Sequence, residues 1–151
     1  MIKPTLPSEP HRSSFGMDAG RLTALLYGAC ALLNFSSDSY LLGWLLPLFL
    51  IMLEKNSYFV CFHAAQAVIF NLLFFAVKWV LKVVFGILSS MISLLWPAAL
   101  FSAVILNVLL AVINLFLLIV LVVGACRTCR YRSFRLPKVS LWAEKCLERI
   151  F

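Results

Sequence analysis

The chain has 151 residues, 64% of them hydrophobic and 13% charged, which is too apolar for a soluble domain that must cover its core with polar side chains. The formal charge of +7 does not point to nucleic acid, because the basic residues flank apolar segments and are not interleaved with exposed aromatics. Five scattered cysteines, Cys30, Cys61, Cys126, Cys129 and Cys146, make no disulfide framework.

Residues 1–16 carry Pro4, Pro7 and Pro10 with Ser and His between them, a tail that disfavours helix and cannot bury itself. The first apolar segment runs from Leu22 to Phe35, is broken by Ser36-Ser37-Asp38-Ser39, and gives way to a second from Tyr40 to Leu53. Ala29-Cys30-Ala31 would also suit a secretory cleavage site, but the membrane-segment reading is preferred. Each of these segments reaches only about 21 Å against a hydrocarbon thickness of about 30 Å. They are therefore either two short spans completed by flanking residues or a re-entrant hairpin, and Pro47 kinks the second.

After the polar turn Glu54-Lys55-Asn56-Ser57 comes a long apolar stretch from Tyr58 to Leu95, and after Pro97 another from Leu100 to Ala125. Beyond Pro137 an amphipathic pattern places Val139, Trp142, Ala143, Cys146 and Ile150 on one face and Lys138, Glu144, Lys145, Glu148 and Arg149 on the other, as in a helix lying flat on a leaflet. The fold class predicted is an all-α integral membrane protein. It comprises a four-helix bundle with two short and two long helices and a C-terminal interfacial helix, divided as tail 1–16, membrane domain 17–136 and interfacial helix 137–151.

Lys3, Arg12 and Arg21 precede the first segment, Lys55 follows the second, and Arg127, Arg130, Arg132, Arg135 and Lys138 follow the fourth. The positive-inside rule puts both termini and the middle turn in the cytoplasm. A bacterial inner membrane is the expected location.

In the third segment Asn71, Lys78, Lys82 and Ser89 are spaced by seven, four and seven residues, which keeps them within about 40° of one helical line. Lysine at mid-bilayer costs about 2.5 to 3.5 kcal/mol. The stripe is thus either a polar seam against a conduit or partner subunit, or, as favoured, an interfacial run whose lysines snorkel outward. Asn107 and Asn114 repeat the seven-residue spacing in the fourth segment and read as inward-facing amides bonding across helices.

No catalytic, cofactor or metal constellation is legible. His63 has Cys61 and Gln66 nearby but no orienting group or oxyanion donor, and reads as a structural interfacial histidine. The single Cys126-Arg127-Thr128-Cys129 pair lacks two further ligands with zinc spacing. Incidental juxtamembrane cysteines are favoured over S-acylation, metal or redox work. Of the six acidic residues, none of Asp18, Asp38, Glu54, Glu144 or Glu148 lies well inside an apolar core, against a proton or cation relay.

The stretch from Leu50 to Ala67, with its core Phe62-His63-x-x-Gln66-Ala67 and Asn71 following, resembles a bacterial membrane family of unknown function related to the Tic-twenty import component of the chloroplast inner envelope. Arg130-Tyr131-Arg132 through Leu136-Pro137 and the helix around Trp142 look like that family's ending. Leu46-Pro47 replaces its usual Gly-Pro, and its compact Tyr-Arg-Tyr-Pro is stretched. The resemblance implies a four-helix membrane fold, no enzyme, and, as an alternative, a translocation component or a plastid inner-envelope location. The first expectation for function is a non-enzymatic accessory or assembly subunit of a larger inner-membrane complex. It would contact lipids and other membrane subunits through its N-terminal tail and C-terminal helix.

Overall fold

The computed structural model describes residues 10–35, 42–54, 57–92, 96–132, 134–136 and 138–147, with side chains undescribed at 35, 42, 92 and 96–99. The expectations that fall on residues 1–9, the Ser36 to Tyr40 break, Lys55, Asn56, Ser93, Pro137 and the Glu148 to Phe151 end lie outside these residues. Everything regular among the described residues is helical: α1 (Ala19–Phe35), α2 (Leu42–Leu53), α3 (Tyr58–Ile92), α4 (Trp96–Cys129) and α5 (Val139–Leu147).

Each helix starts or stops for a local reason. Asp18 caps α1, its Oδ1 accepting from Arg21 N at 3.1 Å, while Tyr131 holds its carboxyl below the ordinary aspartate range. Ser57 caps α3, its Oγ accepting from Val60 N at 3.3 Å. Past the end of α4, Tyr131 takes the left-handed conformation (φ 52°). There Tyr131 N donates to Thr128 O at 3.0 Å and Arg132 N to Arg127 O at 3.0 Å, which is the paired bonding of a Schellman stop. Pro47 lies inside α2 and cannot donate to Gly43 O one turn back. That carbonyl instead accepts from the Cys30 thiol at 3.4 Å, which keeps it satisfied in an apolar setting.

Two helices, over Tyr58–Met91 and Leu100–Cys129, are long and apolar enough to cross a membrane. At 35 and 34 residues the full α3 and α4 reach about 51 to 53 Å, well beyond a bilayer's hydrocarbon. By contrast α1 and α2, with 17 and 12 residues, reach about 26 and 18 Å. Packing follows this inequality. The α1 helix lies chiefly on α4, α2 on α3, and α5 on α3. The core accordingly gathers at one end, where Tyr27, Cys30, Ala67, Phe70, Leu117 and Leu121 share a buried cluster. Beyond it α3 and α4 present Val80, Val84, Ile87, Val104, Val108 and Val112, each at least half exposed, as a lipid-facing surface requires.

Small residues set the closest approaches. A Cβ on Gly20 would stand 2.8 Å from Thr128 O and 2.9 Å from the Tyr131 ring, so α1 and α4 meet there backbone to backbone. Gly20→Ala is therefore expected to force the two helices apart at a cost of about 1 to 3 kcal/mol. Unfolding of the detergent-solubilised protein measures this, and an unchanged midpoint would show that the contact yields.

The α5 helix departs from expectation. Its buried residues are Ser140, Ala143 and Leu147, of which Ala143 and Leu147 pack with Cys61, Phe62 and Ala65 of α3. Trp142 and Leu141 are 53% and 58% exposed, and Cys146 is exposed too. The helix thus docks on protein by a face neighbouring the predicted one, and Leu141 and Trp142 point away from the bundle.

Candidate functional site

The polar residues converge at the end of the molecule where the N-terminal segment, the α2–α3 turn and the chain after α4 meet. Residues 10–18 form a loop there, closed by Ser13 N to Met17 O at 2.8 Å and Ala19 N to His11 O at 3.0 Å. Glu54, 1% exposed, anchors that loop. Its carboxylate accepts from Ser14 N at 2.9 Å, from Ser14 Oγ at 2.7 Å and from Ser57 N at 3.1 Å. His11 Nε2 lies 2.7 Å from Ser57 Oγ, and His11 N donates to Tyr131 Oη at 3.3 Å. Three chain segments far apart in sequence are thereby joined through one turn. The part of the proline-rich tail from Pro10 onward is tied down by these bonds, which its composition alone does not suggest.

Directly beneath lies the Phe62-His63-x-x-Gln66-Ala67 motif, all four residues 0% exposed. Phe59 and Phe62 meet the His63 ring edge-on at centroid distances of 4.6 and 5.3 Å. Tyr27 Oη lies 3.3 Å from His63 Nδ1, and the Arg135 guanidinium stands 6.0 Å above Phe62. His63 Nε2 and both polar atoms of the Gln66 amide are buried without a hydrogen-bond partner. Helical spacing puts His63, Gln66 and Ala67 on one stripe of α3, and that stripe is wholly covered by protein. His63 is thus placed in the interior rather than at an open interface.

The predicted polar stripe divides. Asn71 is buried and its Oδ1 accepts from Asn34 Nδ2 at 2.7 Å, joining α3 to α1, while its own amide donates to Ala67 O at 2.8 Å. Lys78 and Ser89 are half-buried and Lys82 is exposed; the two lysines flank Phe75 and Trp79 on the outer part of α3. Asn71→Leu is expected to cost about 0.6 to 1.7 kcal/mol through loss of the Asn34 bond. A double-mutant cycle with Asn34→Leu isolates that bond, and additivity of the two single changes would show it contributes nothing.

Asn107 corrects the inward-amide expectation. It is exposed and its Nδ2 donates to Ala103 O of its own helix at 2.9 Å, a bond that local geometry supplies without a neighbouring helix. Asn114 does face inward and lines a small cavity with Asn34, its Oδ1 buried and unpartnered.

Among the described residues no group of three or more His, Cys, Asp or Glu side chains could hold a metal ion. Cys30 and Cys61 are buried thiols, whereas Cys126, Cys129 and Cys146 are exposed and free.

The model of the magnetosome magnetite crystal formation family, MamF/MmsF, matches residues 21–142. No curated protein and no solved structure matches the chain. The family match overturns the Tic-twenty-like resemblance. The physical reason lies in the residues that carried it: the Phe-His-x-x-Gln-Ala core is a buried packing stripe, and similar packing in a helical membrane core does not specify function. The translocation and plastid-envelope readings rested on that resemblance and lose their support with it.

Proposed function

The chain belongs to the magnetosome magnetite crystal formation family, and from that premise we propose that it is a non-enzymatic subunit of a membrane protein assembly serving crystal formation. In this reading it crosses the membrane more than once, with the joined end cytoplasmic, because Arg21, Arg127, Arg130, Arg132 and Arg135 all gather near it. The observation that carries the proposal is the construction of that end. Glu54 and the buried motif immobilise the N-terminal loop and α5 as one rigid platform, and the platform leaves Leu141 and Trp142 exposed beside Lys145. An aromatic and an aliphatic anchor on a pre-ordered helix are what a protein contact exploits.

The test is gentle extraction from the native membrane followed by mass measurement. A particle much larger than the 17.0 kDa chain is expected, and Leu141→Ser with Trp142→Ser should release the companions while leaving the thermal midpoint unchanged. A lone wild-type chain would overturn the proposal, as would companions retained by the double variant. Electron microscopy of cells lacking the protein gives the second readout: crystals of altered size or number are expected, and unchanged crystals would contradict a role in their formation.

A further inference from the structure

A groove of about 1050 Å³ runs between α1 and α4, lined by Ala24, Gly28, Ala31, Leu118 and Val122 among others. Leu25 and Leu32, 60% and 77% exposed, stand on its rim. Met17 and Arg21 close its polar end, and from Arg21 the lining runs along α1 to Leu32, eleven residues on, which on a helix is about 16 Å. That length is about half the hydrocarbon thickness of a bilayer, the depth of one leaflet. At its head the groove continues, through the shared residues Ala24 and Cys129, into a second depression of about 550 Å³ lined by Arg127, Arg130 and Arg132. All four arginines are exposed. The one ion pair among the described residues joins Arg135 to Glu144, which do not line this groove; Asp18, which caps α1, is close enough to Arg21 to feel its charge, and no acidic residue lines the depression that holds Arg127, Arg130 and Arg132.

We infer that this groove is a binding site for one anionic phospholipid, whose phosphate sits among Arg21, Arg127, Arg130 and Arg132 while an acyl chain lies along Ala24, Gly28 and Leu118. The two halves specify the occupant jointly. An apolar trough one leaflet deep suits any lipid tail, but a cluster of guanidiniums at its polar end favours a headgroup with net negative charge. General attraction of a basic end to an anionic leaflet would need only the arginines. The trough adds shape, and its floor is open: a Cβ on Gly28 would meet nothing within 4 Å.

That open floor makes the site testable without disturbing the fold. The full chain, purified and delipidated in a neutral detergent, is offered equimolar phosphatidylglycerol and phosphatidylcholine and examined by native mass spectrometry. Phosphatidylglycerol should be retained about tenfold over phosphatidylcholine. Arg127→Ala with Arg130→Ala should bring the ratio towards one, and Gly28→Phe should abolish retention of both lipids with the unfolding midpoint unchanged. Equal retention of the two lipids by the wild type would overturn the proposal. So would retention by Gly28→Phe equal to wild type, which would reduce the effect to surface charge, or full displacement of lipid by millimolar inorganic phosphate, which would make it a free-anion site. Because these readouts concern lipid and not companions or crystals, failure here leaves the assembly proposal standing, and the converse.

Discussion

Glu54→Ala should release the N-terminal loop and destabilise the protein by about 2 to 4 kcal/mol. The carboxylate is 1% exposed and accepts from two backbone N–H groups and one hydroxyl, on Ser14 and Ser57. Hydrogen bonds to a charged acceptor each contribute about 1.5 to 3 kcal/mol. The net effect is smaller than their sum, because Ser14 lies at the surface and water can replace part of what is lost. The loss also propagates, since Ser57 both caps α3 and contacts His11. Amide exchange should therefore accelerate across residues 11–18 and in the first turn of α3, with the outer halves of α3 and α4 unaffected. Glu54→Gln, which keeps shape and one acceptor, should fall between wild type and alanine. Exchange at residues 11–18 equal to wild type in the alanine variant would show that the loop is held by something else.

The helices themselves are legible from the sequence, because long apolar runs bounded by Ser57 and the polar turn at Glu54 leave the backbone little choice in a membrane. The facing of those helices is not legible in the same way. In a bilayer the lipid side of a helix is as apolar as its buried side, so periodicity does not say which way Asn107 points, and on α5 it marks an apolar face through Trp142 without saying whether protein or the membrane surface covers it. The structure turns both outward, Asn107 because its own helix satisfies the amide. The docking of residues 10–18 escapes sequence reasoning for a different reason. The bonds from Ser14 to Glu54 and from His11 to Tyr131 span 40 and 120 residues, and local composition carries no information about partners that distant. The arginine-headed groove is a third case. Arg21 and Arg127 are legible as topology signals, but the trough between them exists only once α1 lies on α4.

Within one helical turn of α3, two substitutions should act in opposite directions. Phe62→Ala removes a ring that is 0% exposed and packed on His63 and α5, leaving a cavity that neighbouring backbone cannot fill. Such truncations cost about 3 to 5 kcal/mol. Gln66 is equally buried, yet its amide oxygen and nitrogen have no partner, and a buried unsatisfied amide carries a penalty of about 1 to 3 kcal/mol. Gln66→Leu, close in volume, relieves that penalty, so the variant should unfold at the same or a higher midpoint than wild type. The pair separates two roles that proximity in sequence would merge. If the amide of Gln66 serves only packing, the leucine variant will be at least as stable and will retain its companions and its crystals. If stability rises while crystal formation fails, the buried amide is kept at the expense of stability because it acts on something that enters the bundle. A leucine variant as damaged as Phe62→Ala would contradict the packing account of the motif, since it would require a hydrogen-bond partner for Gln66 at a site where both polar atoms lie unpaired.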